Sequence, residues 1–293
     1  MTGVDTGPRW PFSTRLFEPT LRASQRAPRH CAGDVRQGGH GSVSRRCGLV
    51  VLAGLAIALA GPALAAPRTV AVVSLIGDRL EVVIPQMTTG SLLDRNRRAA
   101  LNDESGVFDR FTLRAAAQAI AAVDLGIGTV LISVPPSKLH DQPEQLFDGK
   151  HVALPGAIVD ELERVGARHL LLITKRRDDV RVPFVNERVG IGRVRGLGFY
   201  VDASQHVRLT ETGDTAPGFL APFAYFLLSL VDVRMGAVVQ ERKVTLMQTL
   251  SVAQYPKVTD PWDILDPAKK VELLQRLIRQ GLAENMRPLL EGL

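Results

Sequence analysis

Apolar residues in the middle of the chain form short continuous runs that alternate with runs of helical spacing. Arg68–Leu75, Thr129–Val134 and His169–Thr174 are nearly continuous in apolar residues and rich in β-branched ones, which is typical of buried strands. Between them, Phe108–Val123 and Pro155–Val165 carry apolar residues at intervals of three and four, which predicts helices. This alternation predicts an α/β fold with at least one pair of parallel strands.

The remainder of the chain predicts a hairpin and a terminal helix. Phe223–Val233 and Ala237–Leu246 are apolar runs joined by a short turn that contains glycine, the pattern of an antiparallel hairpin. From Pro267 the apolar positions again have helical spacing, and we expect an amphipathic helix that ends at Pro288. We therefore predict one α/β domain over residues 66–293, with a mixed sheet of about five to seven strands flanked by helices.

Four further segments complete the prediction. Leu80–Ile84 follows the first strand across Gly77-Asp78, and these two apolar runs predict a hairpin. Met87–Gly106 is polar and predicts a loop with a helical turn. We interpret Lys175–Val207, rich in glycine and arginine, as a surface hairpin or flap. The aromatic run Phe219–Val231 predicts a core strand rather than a membrane segment.

The N-terminal residues carry the pattern of an export signal. A pair of arginines precedes an apolar run from Leu49 to Ala60, and a small-x-small motif that ends at Ala65 follows. This order predicts a cleavable signal peptide over residues 43–65, with cleavage between Ala65 and Ala66. Twelve apolar residues make a helix about 18 Å long, short of the roughly 30 Å hydrocarbon core, so we expect no stable membrane span after cleavage.

The residues before this signal have no regular pattern. Residues 1–42 are rich in arginine, glycine and proline, and we interpret them as a non-translated or disordered extension, with translation starting at Val43. Both cysteines, Cys31 and Cys47, precede the predicted cleavage site. An exported chain without a disulfide is typical of the bacterial periplasm, and we expect the mature protein there.

The positive charge of the chain lies mostly in the leader. Residues 1–65 hold eight Lys and Arg against three Asp and Glu, whereas the rest holds 28 against 27, which argues against a nucleic-acid partner. A local excess remains in 175–208, with eight basic and four acidic residues. We predict Arg188, Arg193 and Arg195 as a contact surface for another cell-envelope protein. A small anionic ligand and a solvated loop without a partner are the alternatives.

One short segment suggests catalysis. Ile76-Gly77-Asp78-Arg79-Leu80 resembles the first block of the GDSL (SGNH) hydrolases, in which the strand ends in Gly-Asp-Ser and the serine is the nucleophile. Here Arg79 holds the position of that serine, and a guanidinium cannot attack an ester. No histidine follows His206, and no G-x-S-x-G or H-E-x-x-H motif occurs. We assign no catalytic residue, metal or cofactor, and keep a hydrolase with a degenerate site as the alternative function.

The predicted hairpin is similar to that of a group of bacterial envelope domains. The group includes the TolB amino-terminal domain, the curli-secretion lipoprotein and the penicillin-binding-protein activators. Their first strand ends in Leu-Val-Asp-Val before a glycine turn, as residues 230–236 do here, and Asp160–Thr174 resembles the preceding helix and strand. The resemblance covers about residues 160–245. It implies an adaptor domain that binds other envelope proteins and catalyses nothing.

Overall fold

The computed structural model describes residues 68–86, 94–183, 188–208, 215–255, 257–291 and 293, of which 188–189, 205–208 and 215–217 are described by backbone alone. The predicted leader and its cleavage site lie outside these residues. The strands are β1 (Arg68–Leu75), β2 (Arg79–Ile84), β3 (Arg97–Asn102), β4 (Ile127–Ile132), β5 (Phe147–Asp148), β6 (His151–Val152), β7 (His169–Lys175), β8 (Arg177–Asp179), β9 (Val182–Pro183), β10 (Arg188–Val189), β11 (Arg193–Arg208), β12 (Thr215–Asp232), β13 (Ala237–Met247) and β14 (Leu250–Ser251). The α-helices are α1 (Val107–Val123), α2 (Lys138–Asp141), α3 (Gly156–Arg164) and α4 (Pro267–Leu290).

A mixed sheet that branches at its longest strand, β12, organises the fold. Along one edge β12 pairs antiparallel with β11 and then with β7, and along the other edge it pairs with β14 and β13. The first branch continues from β11 to β2 and β3. The second runs from β7 to β1 and β4, which are all parallel. The predicted parallel strands and the β12–β13 hairpin are therefore confirmed.

The sheet is larger than the sequence predicted. Within the described part of the chain it has 12 strands rather than five to seven, and β9 and β10 form a separate ladder. The predicted polar loop contains β3, and the predicted flap contains β11, whose Leu197 and Phe199 are fully buried. Gly198 was misread as a flap residue. A Cβ there would overlap the carbonyl oxygen of Glu81, so this glycine permits close approach of β11 to β2.

The hairpin predicted between β1 and β2 is wrong. β1 pairs with β4 and β7, whereas β2 pairs with β3 and β11, so the two strands enter different branches of the sheet. β1 is apolar on both faces and six of its eight residues are buried, as expected of a central parallel strand. Gly77 lies between them, where a Cβ would overlap the start of α1. The chain therefore crosses from one branch to the other at Gly77-Asp78.

Three of the helices contact the sheet through separate apolar clusters. The largest cluster joins α1 and α4 to β12, where Phe226, Leu228 and Leu230 point into it. A second cluster joins α3 to β1 and β7. The core position of Phe219–Val231 is confirmed, since this run lies within β12 and is almost entirely buried. In the part of the chain that the structure describes, no helix is long and apolar enough to span a membrane.

The C-terminal helix α4 begins as predicted and ends later. Asp266 caps its N-terminus by accepting a hydrogen bond from the backbone N–H of Lys269. The predicted end at Pro288 is wrong, because α4 continues to Leu290. Proline lacks the backbone N–H donor, but its carbonyl oxygen can still accept hydrogen bonds. That carbonyl accepts hydrogen bonds from Gln240 and Arg242 of β13, which fixes the end of α4 on the sheet.

Candidate functional site: a cationic cleft beside a buried Ser–Asp–His cluster

An open cleft of about 540 Å³ lies where the two branches of the sheet separate. Thr174, at the end of β7, and Leu227 of β12 line it. The remaining lining side chains are mostly cationic, and they come from β2, β3, the short helical turn 143–146, β5, the end of β7, β8 and β11: Glu81, Arg98, Glu144, Phe147, Lys175, Arg176, Arg177 and Arg195. A smaller cleft of about 200 Å³ shares Arg98, Lys175 and Arg195 and also contacts Arg79.

Arg98 of β3 is held firmly at the rim of this cleft. Its guanidinium donates to Glu81 at 2.6 Å, to Asp94 at 2.6 Å and to the backbone carbonyl of Arg193 at 2.6 Å. Burial alone would lower the pKa of Arg98, but the charges of Glu81 and Asp94 outweigh it and raise that pKa. Arg98 is therefore a fixed cation whose charge is compensated within the protein.

Arg195 faces the same cleft with a weaker partner. Its backbone N–H donates to Glu81 at 3.0 Å, which positions the residue at the start of β11. Its guanidinium donates to Glu144 at 3.0 Å. The side chain of Arg195 is 27% exposed, and that of Glu144 is 67% exposed. The carboxylate of this ion pair is therefore much more solvated than Glu81, the partner of Arg98, which is 23% exposed.

Lys175 forms a buried ion pair with Asp78 beneath the cleft. The lysine side chain is 4% exposed and the aspartate side chain 13%. Burial lowers the pKa of Lys175, the hydrogen bond and charge of Asp78 oppose that shift, and the charges of Arg79 and Arg195 add to it. Asp78 lies at the crossing between the two sheet branches, so the pair joins that crossing to the end of β7.

The three arginines predicted as a contact surface lie at different positions relative to the cleft. Arg195 lines the cleft, and Arg193 lies beside it, 60% exposed and paired with Asp179 at 3.1 Å. The backbone of Arg193 contacts both Arg98 and Asp94, so this part of the chain is joined to β3. Arg188 pairs with β9 through its backbone, and its side chain lies outside the described set.

A buried cluster of serine, aspartate and histidine lies close to this region in the fold. Ser74 is the residue before the last of β1, Asp109 lies in the first turn of α1, and His140 belongs to α2; all three are buried. Asp109 Oδ1 accepts hydrogen bonds from the Ser74 hydroxyl at 2.6 Å and from the backbone N–H groups of Ile76 and Gly77 at 3.1 and 3.0 Å. Asp109 Oδ2 lies 3.1 Å from His140 Nε2.

The order of groups in this cluster does not match a catalytic triad. A serine nucleophile needs histidine as its immediate proton acceptor, with the carboxylate behind the histidine. Here the carboxylate of Asp109 lies between the other two groups. The backbone N–H of Ser137 donates to His140 Nδ1 at 3.3 Å, so in the neutral ring Nε2 carries the hydrogen and donates to Asp109. The histidine is oriented to hold the carboxylate, and the Ser74 hydroxyl contacts that carboxylate rather than the imidazole.

The segment that resembles the GDSL block has no nucleophile in the structure either. Arg79, at the serine position of that family, forms an ion pair with Asp141 at 2.5 Å. The backbone N–H groups of Ile76 and Gly77, which could otherwise stabilise an oxyanion, are bonded to Asp109. Among the described residues, no three or more His, Cys, Asp or Glu side chains form a group able to hold a metal ion.

Sequence reasoning found one side of the cleft only. The local excess of arginine in 175–208 indicated Arg193 and Arg195. Arg98 and Glu144 were not predicted, because they lie 97 and 51 positions from Arg195 in the sequence. The only sequence signal for Arg98 was the arginine cluster at residues 95–98.

Comparisons with known proteins identify no family. No protein-family model matches the chain, and no curated protein matches it. Among solved structures, the PelC dodecamer of Paraburkholderia phytofirmans is 15% identical at a TM-score of 0.29, over 78% of this chain and 91% of that one. A Helicobacter pylori homologue of neuraminyllactose-binding hemagglutinin is 8% identical at a TM-score of 0.35, over 77% and 87%. Similarity at these TM-scores carries no argument about this chain.

Proposed function

We propose that this chain is an exported, non-catalytic interaction protein of the bacterial cell envelope, and that it binds a partner protein at the cationic cleft and its rim. The observation that carries the proposal is the contrast between two groups of polar side chains. Ser74, Asp109 and His140 are buried and bonded in an order that activates no nucleophile. Arg193 and Arg195 are solvent-accessible and lie at an open cleft.

The arginines suit recognition because of their chemistry. A guanidinium offers several donors in one plane and remains charged, so it binds carboxylates specifically without taking part in proton transfer. Arg98 and Arg195 are positioned by the same carboxylate, Glu81, which bonds to the side chain of one and to the backbone of the other. A surface that is ordered before binding loses less conformational entropy on association.

The resemblance to envelope adaptor domains fits this proposal. It depends on a helix, a strand and a hairpin in that order, and α3, β7, β12 and β13 occur in that order along the chain, with β8 to β11 between β7 and β12. We extend the proposal to the finer fold description, an α/β sheet flanked by helices. Packing of α1 and α4 in one apolar cluster and of α3 in another supports it.

Export is the part of the proposal that depends on the leader. A cut between Ala65 and Ala66 would leave two residues before β1, which starts at Arg68 and is central to the sheet. We expect the mature protein isolated from the periplasm to begin at Ala66. N-terminal sequencing measures this directly. A mature chain that retains residues 43–65, or a cytoplasmic protein, would contradict the proposal.

Photo-cross-linking in the producing cell tests the interaction. A photoreactive residue replaces Arg193 in one variant and Arg279 in the control, because Arg279 is exposed on α4, a helix that does not line the cleft. We expect one adduct of discrete mass from position 193 and none from 279, and the identified partner should bind the purified chain. Absence of a protein adduct at 193 would overturn the proposal. Ester hydrolysis that Ser74→Ala abolishes would replace it with the hydrolase alternative.

A further inference from the structure

We infer that the cleft binds an acidic peptide segment of the partner, and that Glu144 occupies the position of one peptide carboxylate in the free protein. The inference rests on the proposed function and specifies the chemistry of the partner. Binding then exchanges one carboxylate for another on Arg195, and the protein's own glutamate leaves the cleft. Glu144 thereby makes the site self-capped.

The contacts of Glu144 differ from those of the other carboxylate that lines the cleft. Glu81 is 23% exposed and accepts from both Arg98 and the backbone of Arg195, so it is part of the framework. Glu144 is 67% exposed and contacts the Arg195 guanidinium from a short helical turn, Pro143–Leu146, on the opposite side. An exposed ion pair of this kind is worth little, about fivefold or less in an equilibrium constant. Glu144 can therefore be displaced at low cost.

The other cations of the cleft are compensated from within. Arg98 has Glu81 and Asp94, Lys175 has Asp78, and Arg176 has Asp178 at 3.1 Å. In the described part of the chain, Arg195 is the lining cation whose guanidinium contacts only an exposed carboxylate. An incoming anion would find its first free donor there once Glu144 moves away. Arg177, which is 56% exposed and lies 3.6 Å from Asp94, is a second partly solvated cation at the rim.

The shape and lining of the cleft favour a peptide over a free small anion. Its volume of about 540 Å³ exceeds what one carboxylate fills, and it is open to solvent. Leu227 and Phe147 give the lining an apolar portion, so a side chain next to the acidic residue would also be buried. The group to be replaced on Arg195 is the carboxylate of Glu144. In a protein partner, glutamate and aspartate side chains supply the same group.

Binding of a short labelled peptide by the purified full chain tests the inference. The probe alternates glutamate with leucine, and its control carries glutamine in place of glutamate. We expect Glu144→Gln to tighten binding of the acidic peptide about three- to fivefold. We expect Arg195→Gln to weaken it about tenfold or more, since the cation that exchanges its carboxylate on binding is lost. Arg195→Lys keeps the charge but lacks the planar guanidinium. The affinity of this variant for the acidic peptide should fall between those of Glu144→Gln and Arg195→Gln.

Glu161→Gln is the matched control for Glu144→Gln. Glu161 also pairs with an exposed arginine, Arg164, at 2.6 Å, and its substitution makes the same change in net charge outside the cleft. Equal effects of Glu144→Gln and Glu161→Gln would overturn the inference, because general electrostatics would then explain the binding. Oligogalacturonate bound more tightly than the peptide, with the same dependence on Glu144 and Arg195, would also overturn it and assign the cleft to an acidic saccharide.

Failure of this inference is distinguishable from failure of the proposed function. If cross-linking from Arg193 captures a partner while Glu144→Gln leaves peptide binding unchanged, the interaction stands and the self-capped cleft does not. If no partner is captured from Arg193, the proposed function fails whatever the peptide does. Thermal unfolding of each variant identifies a change in fold, and Glu144→Gln at an exposed position keeps the test valid if an Arg195 variant unfolds.

Discussion

Removal of the Asp109 carboxylate is expected to destabilise the protein strongly. The carboxylate accepts hydrogen bonds from Ser74, from two backbone N–H groups at the end of β1, and from His140. In Asp109→Ala these buried donors lose their acceptor, and each unsatisfied group costs about 1–3 kcal/mol before relaxation. Since water can enter and the losses are not additive, we expect a total decrease of about 3–5 kcal/mol in the free energy of unfolding.

Asp109→Asn removes the negative charge of the carboxylate while it keeps the shape of the side chain. The amide oxygen can still accept from Ser74 and the backbone, but its NH2 group faces the Nε2–H of His140, which is also a donor. We therefore expect a smaller decrease of about 1–3 kcal/mol, and part of it should disappear when His140 is also replaced.

Urea unfolding followed by circular dichroism measures these changes, and the control is Asp148→Ala at an exposed position of β5. We expect the control to stay within about 0.5 kcal/mol of the wild type. If Asp109→Ala lowered the free energy of unfolding by less than about 1 kcal/mol, Asp109 would not be the structural centre of the buried cluster, and its assignment as a structural residue would be refuted.

Three further predictions concern packing, pH and the buried ion pair. Gly281→Ala should destabilise the protein by about 1 kcal/mol in urea unfolding despite better helix propensity, because a Cβ would lie 2.5 Å from Val244 Cγ1; a stabilised variant would contradict this. Burial lowers the pKa of Lys270 to about 8, so the unfolded chain binds more protons between pH 8 and 10.5, and wild-type stability should rise relative to Lys270→Met over that range. A constant difference across that range would refute the assignment. Asp78→Asn should cost about 3–5 kcal/mol by leaving the Lys175 charge buried alone, and Lys175→Met in the same chain should restore part of it; no such recovery would contradict the pairing.

The sequence was most informative where local pattern and tertiary environment agree. β1 and β7 are apolar on both faces because the sheet buries both faces, so a continuous run was sufficient to predict them. α1 was predicted to within one residue, since its apolar spacing matches the face packed on the sheet. The pairing of β1 was not predictable from the turn that follows it. Tertiary contact at Gly77, rather than turn chemistry, determines where the chain goes.

Glycine in the arginine-rich segment was the main source of error. Loops and closely packed strands both use glycine, the first for backbone freedom and the second for lack of a side chain. At Gly198 the second reason applies, and only the neighbouring strand reveals it. The buried cluster of Ser74, Asp109 and His140 was not predictable from the sequence either, because these residues are more than 30 positions apart.

Cross-linking from Arg193 in the wild type and in an Arg195→Gln background tests the central claim most directly. We predict a partner adduct in the wild type that falls sharply when Arg195 is neutralised, while the Glu161→Gln background leaves it unchanged. The two positions lie on the same strand beside one cleft, so the probe remains close to the bound partner. An adduct of equal yield in all three backgrounds would contradict a binding site in the cleft, and no adduct in any would contradict the proposed function.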